Sequence, residues 1–102
     1  MWAVNPTDWS KRRVRDGLAV PEGISVSAAG KLLVMEVGKQ RLLEIDPVDG
    51  ATRTLAKGLP VGLPALDGLP PTGVFNDVVE AANGDLFFTA DRDAGLYRLP
   101  RR

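Results

Sequence analysis

Two oxygen-bearing side chains occupy one equivalent position in a repeated part of the sequence. When residues 19–36 are shifted by 54 positions onto residues 73–90, no gap is needed and Glu22 falls on Asn76. Carboxylate and amide oxygens are the donors that hard divalent cations prefer in proteins. The chain has no histidine and no cysteine, which excludes Ser-His and Cys-His nucleophile pairs and thiolate metal sites. Its chemistry must therefore rest on carboxylates, amides, hydroxyls, lysines or a bound ion.

Each of these residues also has a purely structural interpretation. Glu22 follows a proline and would serve equally well as a solvated turn carboxylate, and Asn76 could cap a turn through its side chain. Their shared position in the repeat is what favours a functional role, and both interpretations stay open here. Asp77 is predicted to stabilise its local turn, and Asp91 and Asp93 are predicted to be hairpin-turn residues.

The composition narrows the classes of partner. The 102 residues are 44% hydrophobic and 25% charged, in the range of one small globular domain. Lys plus Arg number 13 and equal Asp plus Glu, so no net charge attracts nucleic acid or an anionic membrane. No apolar run approaches the ~20 residues that span a bilayer, and the N-terminus lacks the apolar core of a signal peptide. We expect a soluble, unexported chain with no nucleic-acid or membrane partner, and the sequence indicates no particular compartment.

The sequence repeats with two different shifts. A shift of 54 pairs residues 22–46 with 76–100, and a shift of 41 pairs residues 4–18 with 45–59. The difference between the shifts falls in residues 58–73, where Gly and Pro disfavour both helix and strand, so an insertion loop is predicted. A base period of about 41 residues is typical of β-propeller blades. The basic residues between 11 and 15 then match an outermost strand and are predicted to line a solvated sheet edge.

Short β-prone runs separated by turn signals fill each repeat unit. No 11-residue window keeps a helical apolar stripe free of Gly or Pro, so the chain is predicted to be all-β with about nine strands. The second run of each unit, "LLVM" and "LFF", is apolar on both faces, which predicts a strand packed between two neighbouring sheets. The predicted units are the last strands of a preceding blade (1–16), a complete four-stranded blade (17–57), the insertion loop (58–73) and a partial following blade (74–102).

A little over two antiparallel blades do not make a propeller, because propellers close with roughly four to eight. The chain is therefore expected to be either a fragment of a longer protein with further blades or a protomer that assembles with copies of itself. We favour the fragment, because the surplus strands at each end fit self-assembly awkwardly.

Three stretches resemble the SMP-30/gluconolactonase/LRE-like family, with similarity to other NHL-like propellers. They are "GLAVPEGISVSAAGKLLVMEVGKQRLLEIDPVDG", "FNDVVEAANGDLFFTAD" and "GLYRL", which together span about residues 17–100. The resemblance implies a six-bladed propeller that hydrolyses a lactone or ester with a divalent metal at its axis. By the same resemblance, Glu22 is a metal ligand, and Asn76 is a metal ligand or a substrate contact. The implied ion is Ca²⁺ first, with Zn²⁺, Mn²⁺ or Mg²⁺ as alternatives.

The first strands of neighbouring blades line the propeller channel, so Glu22 and Asn76 are expected to converge. The family's second Asn ligand and its Asp, which is both ligand and base, have no match in this chain, so the catalytic base is unassigned and the implied site is incomplete. One alternative is a non-catalytic NHL-like propeller that serves as a binding or scaffold module. Another is a piece that has no activity as an isolated chain.

Overall fold

The computed structural model describes residues 1–63, 67 and 75–101. These residues form β-strands, turns and one short 3₁₀ turn (Val37–Lys39), and they contain no α-helix. The strands are β1 (Trp2–Val4), β2 (Lys11–Arg13), β3 (Pro21–Val26), β4 (Leu32–Glu36), β5 (Arg41–Ile45), β6 (Thr52–Lys57), β7 (Val78–Glu80), β8 (Leu86–Ala90) and β9 (Gly95–Leu99). In the same described ranges, no helix has the length and apolar character needed to cross a membrane.

The strands form three antiparallel sheets in sequence order. The first sheet contains β1 and β2, the middle sheet β3 to β6, and the last sheet β7 to β9. Within each sheet, consecutive strands pair with each other, so each sheet is a meander of hairpins. The predicted all-β, antiparallel class is confirmed, and the described residues contain nine strands where the sequence predicted about nine. Across the part of the chain that is described, the three sheets do not close into a ring.

Short polar side chains close the hairpins. Between β5 and β6, Asp46 and Asp49 each accept a hydrogen bond from the amide two residues further on, at 2.8 and 2.9 Å. Between β7 and β8, Asn83 Oδ1 accepts from the Asp85 amide at 3.0 Å, and Gly84 takes a φ of +90°. Glycine adopts that conformation without strain. Asn83 and Gly84 thus form the turn that joins β7 to β8, as Asn-Gly pairs commonly do in hairpins.

Strand β4 is buried on both of its faces. Leu33 and Met35 join a core cluster with the last sheet, whereas Val34 points the opposite way into a cluster with the first sheet. The sequence run "LLVM" predicted this double burial, because side chains alternate between the two faces of a strand. The middle sheet is therefore packed between its two neighbours.

Strand β8 differs from β4. Its residues Leu86, Phe88 and Ala90 are buried against the middle sheet, but Phe87 is half-buried and Thr89 is exposed on the other face. Among the described residues, the "LFF" strand is therefore covered on one face, and the sheet predicted for its second face is not among them. The local alternation of side chains shows which faces of a strand are apolar. Whether such a face is buried depends on the presence of a neighbouring sheet.

The predicted insertion loop is described only at its beginning. Residues 58–63 contain no strand, and Val61 is fully buried in the core beneath the last sheet. The Leu59 amide donates to the Gln40 carbonyl at 3.0 Å, which holds this segment against the middle sheet. Residues 64–66 and 68–73 of the predicted loop lie outside the described residues.

Candidate functional site

Glu22 and Asn76 lie in direct contact between the middle and last sheets. Glu22 belongs to β3 and Asn76 lies two residues before β7, so each stands at the start of the first strand of its sheet. Glu22 Oε1 accepts hydrogen bonds from the Asn76 backbone amide at 2.9 Å and from Asn76 Nδ2 at 3.1 Å. The Gly23 amide donates to the Asn76 carbonyl at 2.9 Å. The structure thus brings together the two residues that share a position in the repeat.

Gly23 allows this close approach of the two sheets. A Cβ at this position would lie 2.5 Å from both the Asn76 carbonyl oxygen and the Asp77 Cα, which are backbone atoms that a rotamer change does not move. The β3–β4 register also shifts between Pro21 and Ile24, and a bulge of this kind re-aims side chains at a sheet edge. The "PEG" sequence is therefore a docking element between sheets as well as the carrier of Glu22.

Asn76 is fully buried, and its amide is held at both ends. Nδ2 donates to Glu22, and Oδ1 accepts from the Asp91 backbone amide at 2.8 Å. If the buried Asn76 amide lost either partner, its unpaired polar atom would destabilise the folded state, because it would no longer be hydrogen-bonded to water or to protein. The network therefore fixes the orientation of the Asn76 side chain.

Asp91 is a member of this site that the sequence reasoning did not assign to it. It lies in the turn after β8, as predicted, but its carboxylate accepts from the Gly62 amide at 2.8 Å and from the Leu63 amide at 3.0 Å. In an antiparallel pair the end of β8 lies beside the start of β7. That pairing is the signal that places Asp91 near Asn76, whereas its contact with residues 62–63 has no local signature.

Asp77 has the local role expected of it. Its carboxylate accepts a hydrogen bond from the Val78 amide at 2.8 Å, at the start of β7. Its own amide donates to Thr89 Oγ1 at 3.0 Å, which extends the β7–β8 pairing. Asp93 accepts from the Gly95 amide at 2.9 Å and from the Tyr97 hydroxyl, both within the β8–β9 hairpin.

The Asp91 carboxylate is stabilised in its charged form. Burial raises its pKa, but hydrogen bonds from the Leu63 and Gly62 backbone amides, with a smaller contribution from the Asn76 side chain, outweigh burial and hold the pKa below its ordinary value of 3.8. Hydrogen bonds to the ionised form act in this direction. Asp91 thus links Asn76 to residues 62–63 as an anion at neutral pH.

The lowered pKa of Asp91 makes its contribution dependent on pH. A carboxyl whose folded pKa is depressed adds stability above its unfolded pKa, and that stability is lost as the pH falls through the folded value. We expect Asp91→Asn to lower the free energy of unfolding by about 1–2 kcal/mol at pH 7 and by progressively less below pH 3.8. Urea denaturation of both proteins from pH 7 to pH 2.5 measures this difference. The control is Asp93→Asn in the same turn, and a deficit for Asp91→Asn that stays constant with pH would contradict the assignment.

The donor atoms at this site fit a hard divalent ion in type but not in number. Glu22 and Asn76 offer oxygen ligands, and Glu22 Oε2 accepts none of the hydrogen bonds found among the described residues. Ca²⁺ takes six to eight oxygens. No cluster of three or more His, Cys, Asp or Glu side chains suited to a metal occurs in residues 1–63, 67 and 75–101. A complete metal site would need further ligands beyond these two side chains.

The basic residues near the N-terminus hold the first sheet in place. Arg12 donates to the Pro47 carbonyl at 2.8 Å and to the Val48 carbonyl at 3.4 Å, on the turn between β5 and β6. The Arg13 guanidinium lies over the Trp2 ring, 5.1 Å from its centroid. These contacts agree with a role at a sheet edge.

Two further buried carboxylates have structural partners. Glu36 is fully buried at the end of β4, where it accepts from the Ala19 amide at 2.9 Å and pairs with Arg41. Burial raises the pKa of Glu36, but the Arg41 and Ala19 hydrogen bonds outweigh burial and lower it. Asp85 forms an ion pair with Arg98 at 2.9 Å. Both carboxylates tie neighbouring segments together and lie outside the Glu22–Asn76–Asp91 network.

Glu22 stands in the "PEG" sequence, Asn76 begins the "ND" pair, and the two meet across neighbouring sheets. Neither the models of known protein families nor the curated proteins include a match to this chain.

Proposed function

We propose that the chain is part of a β-propeller of the SMP-30/gluconolactonase type. In this proposal it contributes Glu22 and Asn76 to a divalent-metal site at which a lactone or ester is hydrolysed. The observation that carries the proposal is the side-chain contact between these residues, which are 54 positions apart and equivalent in the repeat. Blades of one propeller present equivalent positions to a common axis, so such a meeting is what a shared site requires.

The arrangement of the sheets supports the propeller. Consecutive sheets follow the chain, and the middle sheet packs face to face against the sheet before it and the sheet after it. The first strands of the middle and last sheets, β3 and β7, contact each other directly. First strands line the central channel of a propeller, and here Glu22 lies on β3 and Asn76 lies two residues before β7.

The hydrogen bonds around Asn76 fix the positions of two oxygen atoms that could bind an ion. Asn76 Oδ1 has a second lone pair beyond its bond to the Asp91 amide, and Glu22 Oε2 is the other available oxygen. Ca²⁺ is the first choice for such donors, and Zn²⁺, Mn²⁺ or Mg²⁺ are alternatives. When bound, a divalent ion polarises a carbonyl and lowers the pKa of a coordinated water. The remaining ligands and the general base would come from further sheets.

Metal titration with thermal denaturation tests the proposal. At about 100 times its dissociation constant, a bound ion adds about 2.7 kcal/mol of stability, so we expect Ca²⁺ to raise Tm of the wild type by at least about 5 °C. Glu22→Gln keeps an acceptor oxygen but removes the charge, and it is expected to abolish the gain. Asn76→Asp places a second carboxylate beside Glu22, so it should be less stable without metal and gain more than the wild type with it.

Asp93→Asn is the control for these variants, since it removes a carboxylate from the same end of the last sheet and should keep the wild-type response. If Ca²⁺, Zn²⁺, Mn²⁺ and Mg²⁺ all leave Tm of the wild type unchanged, this chain does not carry a metal site.

The second candidate function is a non-catalytic propeller module used for binding or as a scaffold. It is favoured by one observation, namely that both polar ends of the buried Asn76 amide already have partners within the protein. In that case the hydrogen bonds of Glu22, Asn76 and Asp91 serve only to join the middle and last sheets, a role that we call the clasp. The titration separates the two candidates, because a clasp predicts that the variants lose stability without any response to metal.

A further inference from the structure

In the described part of the chain, one apolar face of the last sheet is largely exposed. Val79, Phe87 and Leu96 point to the same side, because Val79 pairs with Phe87 and Leu96 pairs with Thr89, the residue two positions after Phe87 on β8. Val79 is 56% exposed and Leu96 is 72% exposed. This side is opposite to Phe88, which is buried against the middle sheet. We refer to Val79, Phe87 and Leu96 as the trailing face.

A second exposed apolar surface lies on β3 of the middle sheet, on the side that faces the first sheet. Ile24 and Val26 of β3 are 50% and 67% exposed, although they share a side of the middle sheet with Val34, which is buried. The first sheet covers that side over β4 and β5 but, with the two strands β1 and β2, does not extend over β3. We refer to Ile24 and Val26 as the leading face.

The chain already contains one interface between two such faces. The middle sheet packs its Leu33 and Leu42 side against the last sheet, where it meets Val78 and Phe88. The 54-residue repeat relates Leu33 to Phe87.

The same shift relates Leu42 to Leu96 of the trailing face and Ile24 of the leading face to Val78. The trailing face is therefore the repeat equivalent of the middle-sheet half of that interface, and the leading face is the exposed part of the other half. Val34, the equivalent of Phe88, is already buried against the first sheet.

We propose that a second copy of this chain binds head to tail, with the trailing face of one copy packed on the leading face of the next. The occupant is a second copy because both halves are present in the chain and the internal interface shows that such halves pack. The surplus strands β1 and β2, which favoured a fragment in the sequence analysis, cover Val34 and leave Ile24 and Val26 for the second copy. The equal numbers of basic and acidic residues put no net charge against this association. The contact is heterologous, so each copy keeps one free face of each kind until a ring closes. This proposal is independent of the metal site.

Sedimentation or native mass spectrometry over a concentration series tests the association. The wild type should show species larger than the 10.9 kDa single chain, with a fraction that grows with concentration. Leu96→Lys on the trailing face and Ile24→Lys on the leading face should each give single chains, because every interface uses one face of each kind. Both side chains are at least 50% exposed, so the variants should keep the wild-type circular dichroism. Val48→Lys is the control, since Val48 is 82% exposed on the turn between β5 and β6, and it should associate like the wild type.

An equimolar mixture of Leu96→Lys and Ile24→Lys is the decisive sample. One copy retains a leading face and the other a trailing face, so the mixture should form pairs of twice the single-chain mass and nothing larger. The proposal is overturned if the wild type stays a single chain up to about 1 mM, beyond which specific association has little meaning. The proposal is also overturned if only one of the two variants loses association, because that result is expected when two identical faces meet. It is likewise overturned if the mixture of the two variants forms no pairs.

Discussion

Gly23→Ala is expected to lower the free energy of unfolding by about 3 kcal/mol, among the largest effects of a single methyl group in this chain. The added Cβ would lie 2.5 Å from the Asn76 carbonyl oxygen and from the Asp77 Cα, so the sheets must separate to admit it. Separation also weakens the hydrogen bond from the Gly23 amide to the Asn76 carbonyl. Urea denaturation monitored by tryptophan fluorescence and by circular dichroism measures the loss.

Gly30→Ala is the control for this substitution. Gly30 lies in a turn with a φ of +77° and has open space around its Cα, so alanine there meets backbone strain without a clash and should cost about 1 kcal/mol. If Gly23→Ala costs no more than Gly30→Ala, the middle and last sheets do not approach as closely as the structure shows.

Asn76→Ala is expected to lower the free energy of unfolding by about 3–4 kcal/mol. The substitution leaves the Asp91 amide and Glu22 Oε1 without their Asn76 side-chain partner, and it opens a cavity at a fully buried position. Equilibrium denaturation in urea measures the loss. Asn83→Ala is the matched control, because Asn83 is exposed in a turn and its loss should cost about 1 kcal/mol.

A double-mutant cycle isolates the contact between the two candidate ligands. Glu22→Ala combined with Asn76→Ala should cost less than the sum of the single substitutions, by about 1.5–3 kcal/mol for a hydrogen bond to a charged group. Additive costs would show that Glu22 and Asn76 are not coupled. The cycle tests the clasp whether or not the site also binds metal.

Much of the strand arrangement was predictable because its signals are local. The apolar run at Leu33–Met35 and the Asn83-Gly84 turn each specify their own conformation, and hairpins join consecutive strands. The convergence of Glu22 with Asn76 followed from the repeat, since equivalent positions in stacked units lie near each other.

The rest depended on contacts between distant segments. The Asp91 carboxylate binds amides 28 and 29 residues earlier in the chain, and no local pattern marks that contact. The buried Glu36 needed both the Ala19 amide and Arg41 to satisfy its charge, a combination that strand periodicity does not encode. The uncovered side of β8 likewise follows from the absence of a partner sheet among the described residues and not from the sequence of β8 itself.

The double burial of the middle sheet has a consequence for how the chain loses its structure. Each sheet is stabilised by its own hairpins and by the sheets that touch it, so stability is shared between nearest neighbours and is greatest where there are two. The middle sheet has two neighbours, whereas the described part of each end sheet has one. Opening therefore starts at the outer layers and reaches β4 last, and the Glu22–Asn76 contact at the boundary between layers sets how readily the last sheet detaches.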